Sequence, residues 1–243
     1  MIDVGAIVLD PGHGGLDPET GEYVTPGKRY GHTHDSEGNP YPETRCLYEG
    51  VWTRVGMAAL GTMLLGAFPD IDVWVTTLGG RLRHFPRTDG ADLGWRDVSL
   101  DERSETIEYV DDQMRTLGKR AFLYSRHSNA TRVTSYVGRG TSPRGVSIFT
   151  SPGQTHSDPL ADIVLDEYRK EGVLPIRRGD WSDGDADHER TFYMLTAHVA
   201  PSVLIEAGWH TNIRDAEVLW TLEGQRRMAT AEFRAIRRIL GRG

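Results

Sequence analysis

The chain has 243 residues, of which 38% are hydrophobic and 26% are charged, which is typical of a globular protein with one full hydrophobic core. Its formal net charge of −7 is opposite in sign to the basic surface that nucleic-acid-binding proteins present, and it disfavours unassisted binding to anionic lipid. The sequence therefore predicts no nucleic-acid partner. A single cysteine, Cys46, excludes both an intrachain disulfide and a cysteine-based zinc site.

Neither a signal segment nor a membrane span is visible in the sequence. Residues 1–5 (MIDVG) lack the basic segment and apolar core of a secretory signal. The longest nearly apolar run, residues 56–68, is too short to span a bilayer. We therefore expect no membrane insertion, and we expect the protein to fold in the cytoplasm and to meet any outside substrate only after release.

Five short segments rich in Val, Ile and Leu predict strands that are buried on both faces. In chain order they are residues 6–10, 72–77, 121–127, 145–150 and 202–207. Four segments predict helices, from apolar residues at helical spacing or from helix-start signals. They are residues 49–68, 99–117, 158–171 and 223–240, of which the second opens on a capping-box pattern, Ser99-Leu-Asp-Glu102.

The alternation of strands and helices predicts an α/β fold. We expect a single domain spanning residues 1–243, with a twisted, mostly parallel central sheet and helices on both faces. No repeat or linker divides the chain, and no second domain is predicted. Long polar segments rich in glycine or proline predict functional loop insertions at residues 17–44, 78–98, 131–144 and 176–187.

His13 directly follows the first predicted strand, in the stretch Asp10-Pro-Gly-His-Gly-Gly15. Active sites of α/β proteins lie at the carboxyl ends of strands, and the flanking glycines allow turns that other residues resist. The glycine spacing does not fit a dinucleotide-binding G-x-G-x-x-G motif, and no Walker motif or H-E-x-x-H zinc motif is present. The pattern therefore favours a role for the His13 side chain itself.

His127 ends the third predicted strand, so the sequence brings a second histidine to a strand end. Neutral imidazole is the commonest zinc ligand, and a catalytic zinc takes three protein ligands and keeps one position open. A third ligand is needed, and Glu49, at the start of the first predicted helix, is the best candidate. Glu43 competes with it, although no amphipathic helix begins directly after Glu43.

Two further features bear on the predicted metal site. The segment Gly31-His-Thr-His-Asp35 offers a rival pair, His32 and His34, but loop histidines make poorly preorganised ligands. Glu206 ends the fifth predicted strand, where a carboxylate is costly to bury unless it is paired or hydrogen-bonded. It is either a structural ion-pair partner or a general base and acid beside the metal.

Together these motifs resemble the zinc-dependent N-acetylmuramoyl-L-alanine amidases of the type-3 family, which cleave peptidoglycan. The family's Asp-Pro-Gly-His-Gly-Gly signature is matched by residues 10–15, its Ser-x-His-x-Asn motif by residues 125–129, and its Glu-x-Gly-aromatic-x-x-Asn motif by residues 206–212. Leu100 and Arg103 match a weaker Leu-x-x-Arg element. The order of the motifs agrees with the family, and the resemblance runs from Ile7 to the end of the chain.

The resemblance implies that His13, Glu49 and His127 bind zinc and that Glu206 is the catalytic glutamate. The substrate would be peptidoglycan, cleaved at the amide bond between N-acetylmuramic acid and L-alanine of the stem peptide. A chain with no signal and no wall-binding repeat is similar to a phage endolysin, which acts on the bacterial wall after release from the cytoplasm. We expect it to be a monomer.

The chain departs from the family pattern at three places, and two other functions stay open. The segment between His13 and Glu49 is longer than usual, and Arg126 and His210 stand where the family has apolar residues. His210 either lines the cleft or packs near the surface. The alternatives are a carboxypeptidase-like zinc hydrolase of another peptide or amide, and an inactive wall-binding module. Retention of both histidines and Glu206 favours an active enzyme.

Overall fold

A computed structural model describes residues 2–131, 143–177, 179 and 184–242 of the chain. Within these ranges the strands are β1 (Val4–Pro11), β2 (Arg29–His34), β3 (Pro40–Tyr48), β4 (Asp72–Val75), β5 (Gly80–Arg81), β6 (Arg120–Asn129), β7 (Val146–Thr150), β8 (His188–Glu189) and β9 (Ser202–Trp209). The α-helices are α1 (Glu49–Ala67), α2 (Leu100–Thr116), α3 (Asp158–Glu171), α4 (Tyr193–Thr196), α5 (Ile213–Leu219) and α6 (Leu222–Ile239). Short 3₁₀ turns cover Thr76–Leu78 and Ala91–Leu93.

A seven-stranded sheet with the order β5-β4-β1-β6-β9-β7-β8 forms the centre of the fold. The inner strands β4, β1, β6 and β9 run parallel to one another, whereas β5 and β7 run antiparallel to β4 and β9. Apolar side chains on one face pack against α1, α3 and α6, and those on the other pack against α2 and the α4 region. The predicted α/β class, with a mostly parallel sheet between helices, is confirmed.

The predicted elements agree closely with the structure. The helix predicted over residues 158–171 matches α3, and the capping box predicted at Ser99 is present at the start of α2. That box has both halves, because the Ser99 side chain accepts from the Glu102 backbone N–H and the Glu102 side chain accepts from the Ser99 backbone N–H. Across the described ranges, no helix is both long enough and apolar enough to cross a membrane.

The long segment after His13 is the clearest difference from the expectation. Residues 17–44 were expected to form a loop, but strands β2 and β3 pair there as an antiparallel hairpin that runs on to Tyr48. We call residues 29–48 the inserted hairpin. Its exposed side chains hide the alternation that usually marks a strand, because most residues of β3 face solvent. Most of the predicted loop 131–144, and part of the loop 176–187, lie outside the described residues.

The order of the central strands decides where chemistry can occur. Strands β1, β6 and β9 are adjacent and parallel, so their carboxyl ends meet at one edge of the sheet. In open α/β sheets ligands bind beyond the carboxyl ends of the strands. This edge, together with the N-terminus of α1, carries the polar residues that the sequence singles out.

Candidate metal centre

His13, His127 and Glu206 are brought to the same edge of the sheet by three different strands. His13 lies two residues beyond the end of β1, and His127 lies near the end of β6. Glu206 of β9 is the register partner of His127 across the parallel pair β6–β9. The predicted convergence of these side chains is therefore present in the structure.

Glu49 joins the two histidines to form a cluster with metal-ligand geometry. One ligand atom from each of His13, Glu49 and His127 lies within 4.8 Å of the others. Glu49 Oε2 is 3.5 Å from His13 Nε2, and Glu49 Oε1 is 3.3 Å from His127 Nδ1. The imidazole rings of His13 and His127 meet edge to face, with centroids 5.0 Å apart. Glu43, the competing candidate, is exposed on β3.

The donor set fits a zinc ion. Two imidazoles and one carboxylate are ligands that zinc prefers, and three protein ligands leave a fourth position for a reactant. Glu49 is 2% exposed, and its Oε2 atom is buried with no hydrogen-bond partner. A buried carboxylate oxygen without a partner is costly, and a bound cation would satisfy it. This orphaned oxygen is the observation that distinguishes the cluster from an ordinary ion-paired group.

The charges in the cluster prepare Glu49 to bind a cation. Burial raises the pKa of Glu49, but the hydrogen bond and charge of His127, with the charge of His13, outweigh it and hold the pKa at about 2. Burial lowers the pKa of His13 to about 4, against the opposing effect of Glu49. Glu49 is therefore ionised and His13 neutral near pH 7, and these are the protonation states of metal ligands.

The pKa of Glu206 is shifted in the opposite direction to that of Glu49. Burial raises the pKa of this carboxyl to about 8; the charge of His127 opposes the rise, and the charge of Glu49 adds to it. Its Oε2 atom is buried and has no hydrogen-bond partner. Within the described residues no arginine or lysine forms an ion pair with it. A carboxyl group whose pKa is displaced beside a metal-ligand cluster is a candidate for proton transfer.

The backbone around His13 is held in an unusual conformation. His13 is the one residue other than glycine in the described chain with positive φ, at 59°. A bulky side chain in the left-handed region is uncommon and is often tied to function. Arg54 Nη1 donates to the His13 carbonyl oxygen at 2.6 Å. At the start of α1, a Cβ on Gly50 would lie 1.8 Å from the Gly14 carbonyl oxygen, so the loop rests directly on the helix.

A buried ion pair beneath the site was not assigned from the sequence. Asp10 is fully buried at the end of β1, and its Oδ1 accepts from Nη2 of Arg103 in α2 at 2.5 Å. Thr76 Oγ1 and Ser125 Oγ also donate to the Asp10 carboxylate, each at 2.5 Å. This explains the weak Leu-x-x-Arg signal, because Arg103 joins α2 to the strand that leads into His13. The sequence signal that could have indicated this pair is Asp10 itself, because an aspartate at the end of a buried strand needs a partner.

The two single-residue departures from the family pattern have structural explanations. The Arg126 side chain is 1% exposed and contacts α6, where Glu232 Oε2 lies 3.3 Å from Nη1 and Gln225 Oε1 accepts from Nη2 at 2.7 Å. His210 is 3% exposed, and its Nδ1 lies 4.0 Å from Glu49 Oε2. His210 is thus packed behind Glu49 and is not a surface residue. The rival pair, His32 and His34, forms no metal-ligand cluster within the described residues.

Comparisons with known proteins agree with this architecture. The sequence profile of the family Amidase_3, described as N-acetylmuramoyl-L-alanine amidase, matches residues 86–238, a stretch that includes His127 and Glu206. The N-acetylmuramoyl-L-alanine amidase from Clostridium difficile 630 is similar in structure, with a TM-score of 0.65, 20% identity and coverage of 98% of each chain. No curated protein matches the chain by sequence comparison.

Two other solved structures share the fold. The catalytic domain of CwlV, N-acetylmuramoyl-L-alanine amidase from Bacillus (Paenibacillus) polymyxa var. colistinus, gives a TM-score of 0.64 at 17% identity, covering 99% of this chain and 100% of that one. The catalytic domain of the CD27L endolysin targeting Clostridia difficile gives 0.54 at 15% identity, covering 98% of each chain. The profile match spans more than half of the chain. The protein is therefore a hydrolase that belongs to the Amidase_3 family of N-acetylmuramoyl-L-alanine amidases.

Proposed function

We propose that the protein is a zinc-dependent peptidoglycan amidase that cleaves the amide bond between N-acetylmuramic acid and L-alanine of the stem peptide. The observation that carries the zinc assignment is the cluster of His13, Glu49 and His127, with an orphaned buried carboxylate oxygen at its centre. The family supplies the bond type, and the cluster supplies a reason for the chemistry to occur at this edge of the sheet.

In this proposal His13, Glu49 and His127 hold the metal through two imidazole nitrogens and a carboxylate oxygen. Zinc, when bound, acts as a Lewis acid that polarises a carbonyl oxygen and makes water a better nucleophile at neutral pH. The neutral state of His13 and the ionised state of Glu49 follow from their surroundings, so neither residue needs to change protonation before binding.

Glu206 acts as the proton carrier. In its ionised form it accepts a proton from the attacking water as the new C–O bond forms at the scissile carbonyl carbon. It then gives that proton to the departing nitrogen as the C–N bond breaks. The products are a lactyl carboxylic acid on the muramic acid, which ionises in water, and a free amine on L-alanine, and Glu206 returns to its ionised state.

Analysis of the digestion products tests the bond that is cleaved. Purified protein with added zinc is incubated with peptidoglycan, and the soluble products are analysed by mass spectrometry and reducing-sugar assay. We expect free stem peptides with an L-alanine amine terminus and no new reducing ends. Intact muropeptides with shortened stems would instead favour a carboxypeptidase-like hydrolase, and an absence of products from zinc-loaded protein would favour an inactive wall-binding module.

We further propose that the amidase serves as a phage lysin, made in the cytoplasm and acting on the wall as a monomer after release. The fold shared with an endolysin catalytic domain supports this role. The test is expression in a bacterium with and without a permeabilised inner membrane, together with the solution mass. Lysis that depends on permeabilisation, at the mass of one chain, is expected. Lysis without permeabilisation, or a stable oligomer, would contradict the proposal.

A further inference from the structure

His210 lies behind the metal cluster at a point where the pairing of two central strands becomes irregular. The register between β6 and β9 shifts between His127 and Asn129, so Ser128 sits at the irregularity. The Ser128 backbone N–H donates to Glu49 Oε1 at 2.9 Å. The Ser128 carbonyl oxygen lies 3.2 Å from His210 Nδ1, and Ser128 Oγ lies 3.0 Å from the same nitrogen.

These contacts bond the His210 ring to Ser128 in either tautomer. With hydrogen on Nδ1 the ring donates to the Ser128 carbonyl oxygen, and without it Nδ1 accepts from the Ser128 hydroxyl. His210 Nδ1 lies 4.0 Å from Glu49 Oε2, the oxygen that has no hydrogen-bond partner. His210 therefore fixes the position of Ser128, whose backbone N–H bonds to Glu49.

The inserted hairpin in turn holds His210. His32 of β2 is 6% exposed, and its Nε2 lies 2.9 Å from the His210 carbonyl oxygen, to which it donates. The His210 backbone N–H donates to the Asn129 carbonyl oxygen at 2.9 Å, so both backbone groups of His210 are engaged. The His32 ring also packs edge to face against Trp220, with centroids 5.6 Å apart.

We propose that His210 is a positioning residue for the metal ligand Glu49, and that the inserted hairpin fixes His210 through His32. The inference rests on the proposed zinc site and adds that contacts made by the hairpin influence the zinc affinity of that site. Its physical basis is a sequence of directed contacts, from His32 to the His210 carbonyl, from His210 Nδ1 to Ser128, and from Ser128 N–H to Glu49. Residues that orient a ligand change metal affinity by about 10–100-fold when they are replaced.

The first experiment compares His210→Phe with His210→Asn. Phenylalanine keeps a planar ring but removes Nδ1, whereas the asparagine amide keeps both a donor and an acceptor near that position. The zinc dissociation constant is measured by competition with a chelating dye, and the melting temperature of the zinc-free protein is measured in parallel. We expect about 10–100-fold weaker zinc binding in His210→Phe, substantial recovery in His210→Asn, and similar zinc-free melting temperatures.

A second pair of variants tests the hairpin and keeps the inference falsifiable if His210→Phe does not fold. His32→Phe removes the donor to the His210 carbonyl, and His32→Gln keeps an N–H near the position of Nε2. His84→Phe, at an exposed histidine of another loop, is the control. We expect weaker zinc binding in His32→Phe, with recovery in His32→Gln and no change in His84→Phe.

The outcomes separate this inference from the proposed function. Wild-type zinc affinity in both His210→Phe and His32→Phe would overturn the positioning role while leaving the zinc site intact. Failure of the wild-type protein to bind zinc would instead reject the proposed site, and the inference with it. Equal loss of zinc affinity in His210→Phe and His210→Asn, with lowered zinc-free melting temperatures in both, would reduce His210 to a packing residue.

Discussion

At the scale of single residues, the site separates two carboxylates by their surroundings. Glu49 is buried among histidines, and its pKa is held at about 2, whereas burial raises the pKa of Glu206 to about 8. One group is therefore suited to bind a cation and the other to carry a proton. Environments that push the pKa values of neighbouring carboxyl groups apart are typical of acid–base catalysis.

Replacing Glu206 by glutamine removes the proton carrier and keeps the shape of the side chain. We expect zinc content equal to that of the wild type and a kcat lower by about 10²–10⁴-fold, because general acid–base catalysis contributes on that scale. Zinc content by atomic emission and kcat on a soluble muropeptide check this. Near-wild-type turnover in Glu206→Gln would remove Glu206 from the mechanism.

Replacing either histidine of the cluster removes a metal ligand. We expect His13→Ala and His127→Ala each to lose most of the bound zinc and, with it, the amidase activity, because a catalytic zinc needs three protein ligands. His84→Ala, at an exposed histidine, is the matched control and should keep both. A zinc content of one per chain in His13→Ala or His127→Ala would show that the metal is held elsewhere.

At the scale of the elements, the sequence predicts the parallel strands and helices well because their apolar residues repeat at the expected spacing. His13, His127 and Glu206 could be placed together because each ends a predicted parallel strand. The inserted hairpin could not be predicted, since its outward side chains lack an alternating pattern. The position of His210 depends on the irregular pairing near Ser128, which no local pattern encodes.

The contact between the His13 loop and α1 gives a prediction about glycine. In Gly50→Ala the new Cβ would lie 1.8 Å from the Gly14 carbonyl oxygen, so the loop must move and zinc should bind more weakly. Overpacking of this kind costs about 1–3 kcal/mol.

Gly66→Ala is the matched control in the same helix, because its Cβ would meet no atom closer than 3.9 Å. It should gain up to about 1 kcal/mol in unfolding free energy from the higher helix propensity of alanine. Urea unfolding and zinc titration of both variants are the measurements. Equal behaviour of the two variants would show that the close approach at Gly50 does not constrain the loop.

Strand β7 carries a pH-dependent contact on the other side of the molecule. Thr150 donates to Asp187, which is 2% exposed, and burial, with Asp185 nearby, raises the pKa of Asp187 to about 7. A carboxyl with a raised pKa in the folded state binds its proton more tightly than in the unfolded state, where the pKa is near 3.8. The stability that the protonated Asp187 carboxyl contributes is thus fully present below about pH 4 and is lost as the pH rises to about 7.

Asp187→Asn should therefore flatten this pH dependence. We expect the unfolding free energy of Asp187→Asn minus that of the wild type to be about 2 kcal/mol larger at pH 8 than at pH 5. Asp112→Asn, on the exposed face of α2, is the control. Urea unfolding at the two pH values measures the difference. An identical wild-type-to-variant difference at pH 5 and pH 8 would contradict the prediction.

At the scale of the whole molecule, the proposed metal ligands come from three distant parts of the chain. His13 follows β1, Glu49 begins α1, and His127 lies in β6, so the cluster exists only when the central sheet and α1 are assembled. A ligand that binds the folded state and not the unfolded chain stabilises folding by mass action.

Removal of the metal should consequently lower the melting temperature of the whole protein. With free zinc at about a thousandfold excess over its dissociation constant, the expected gain is about 4 kcal/mol, which a chelator abolishes and added zinc restores. Calorimetry with and without chelator checks this, and the zinc-free His127→Ala variant should show no response. A wild-type melting temperature unaffected by the chelator would contradict a zinc site built from these ligands.

The buried guanidinium of Arg126 restricts which substitutions homologous sequences can carry at the residues around it. Its neighbours in α6, Gln225 and Glu232, accept its hydrogen bonds, and Gly56 leaves it room, because a Cβ there would lie 1.8 Å from Nη1. An apolar side chain at position 126 alone would strand the Glu232 charge in the interior. We therefore expect positions 56, 126, 225 and 232 to covary among homologues, so that a substitution at one is accompanied by substitutions at the others.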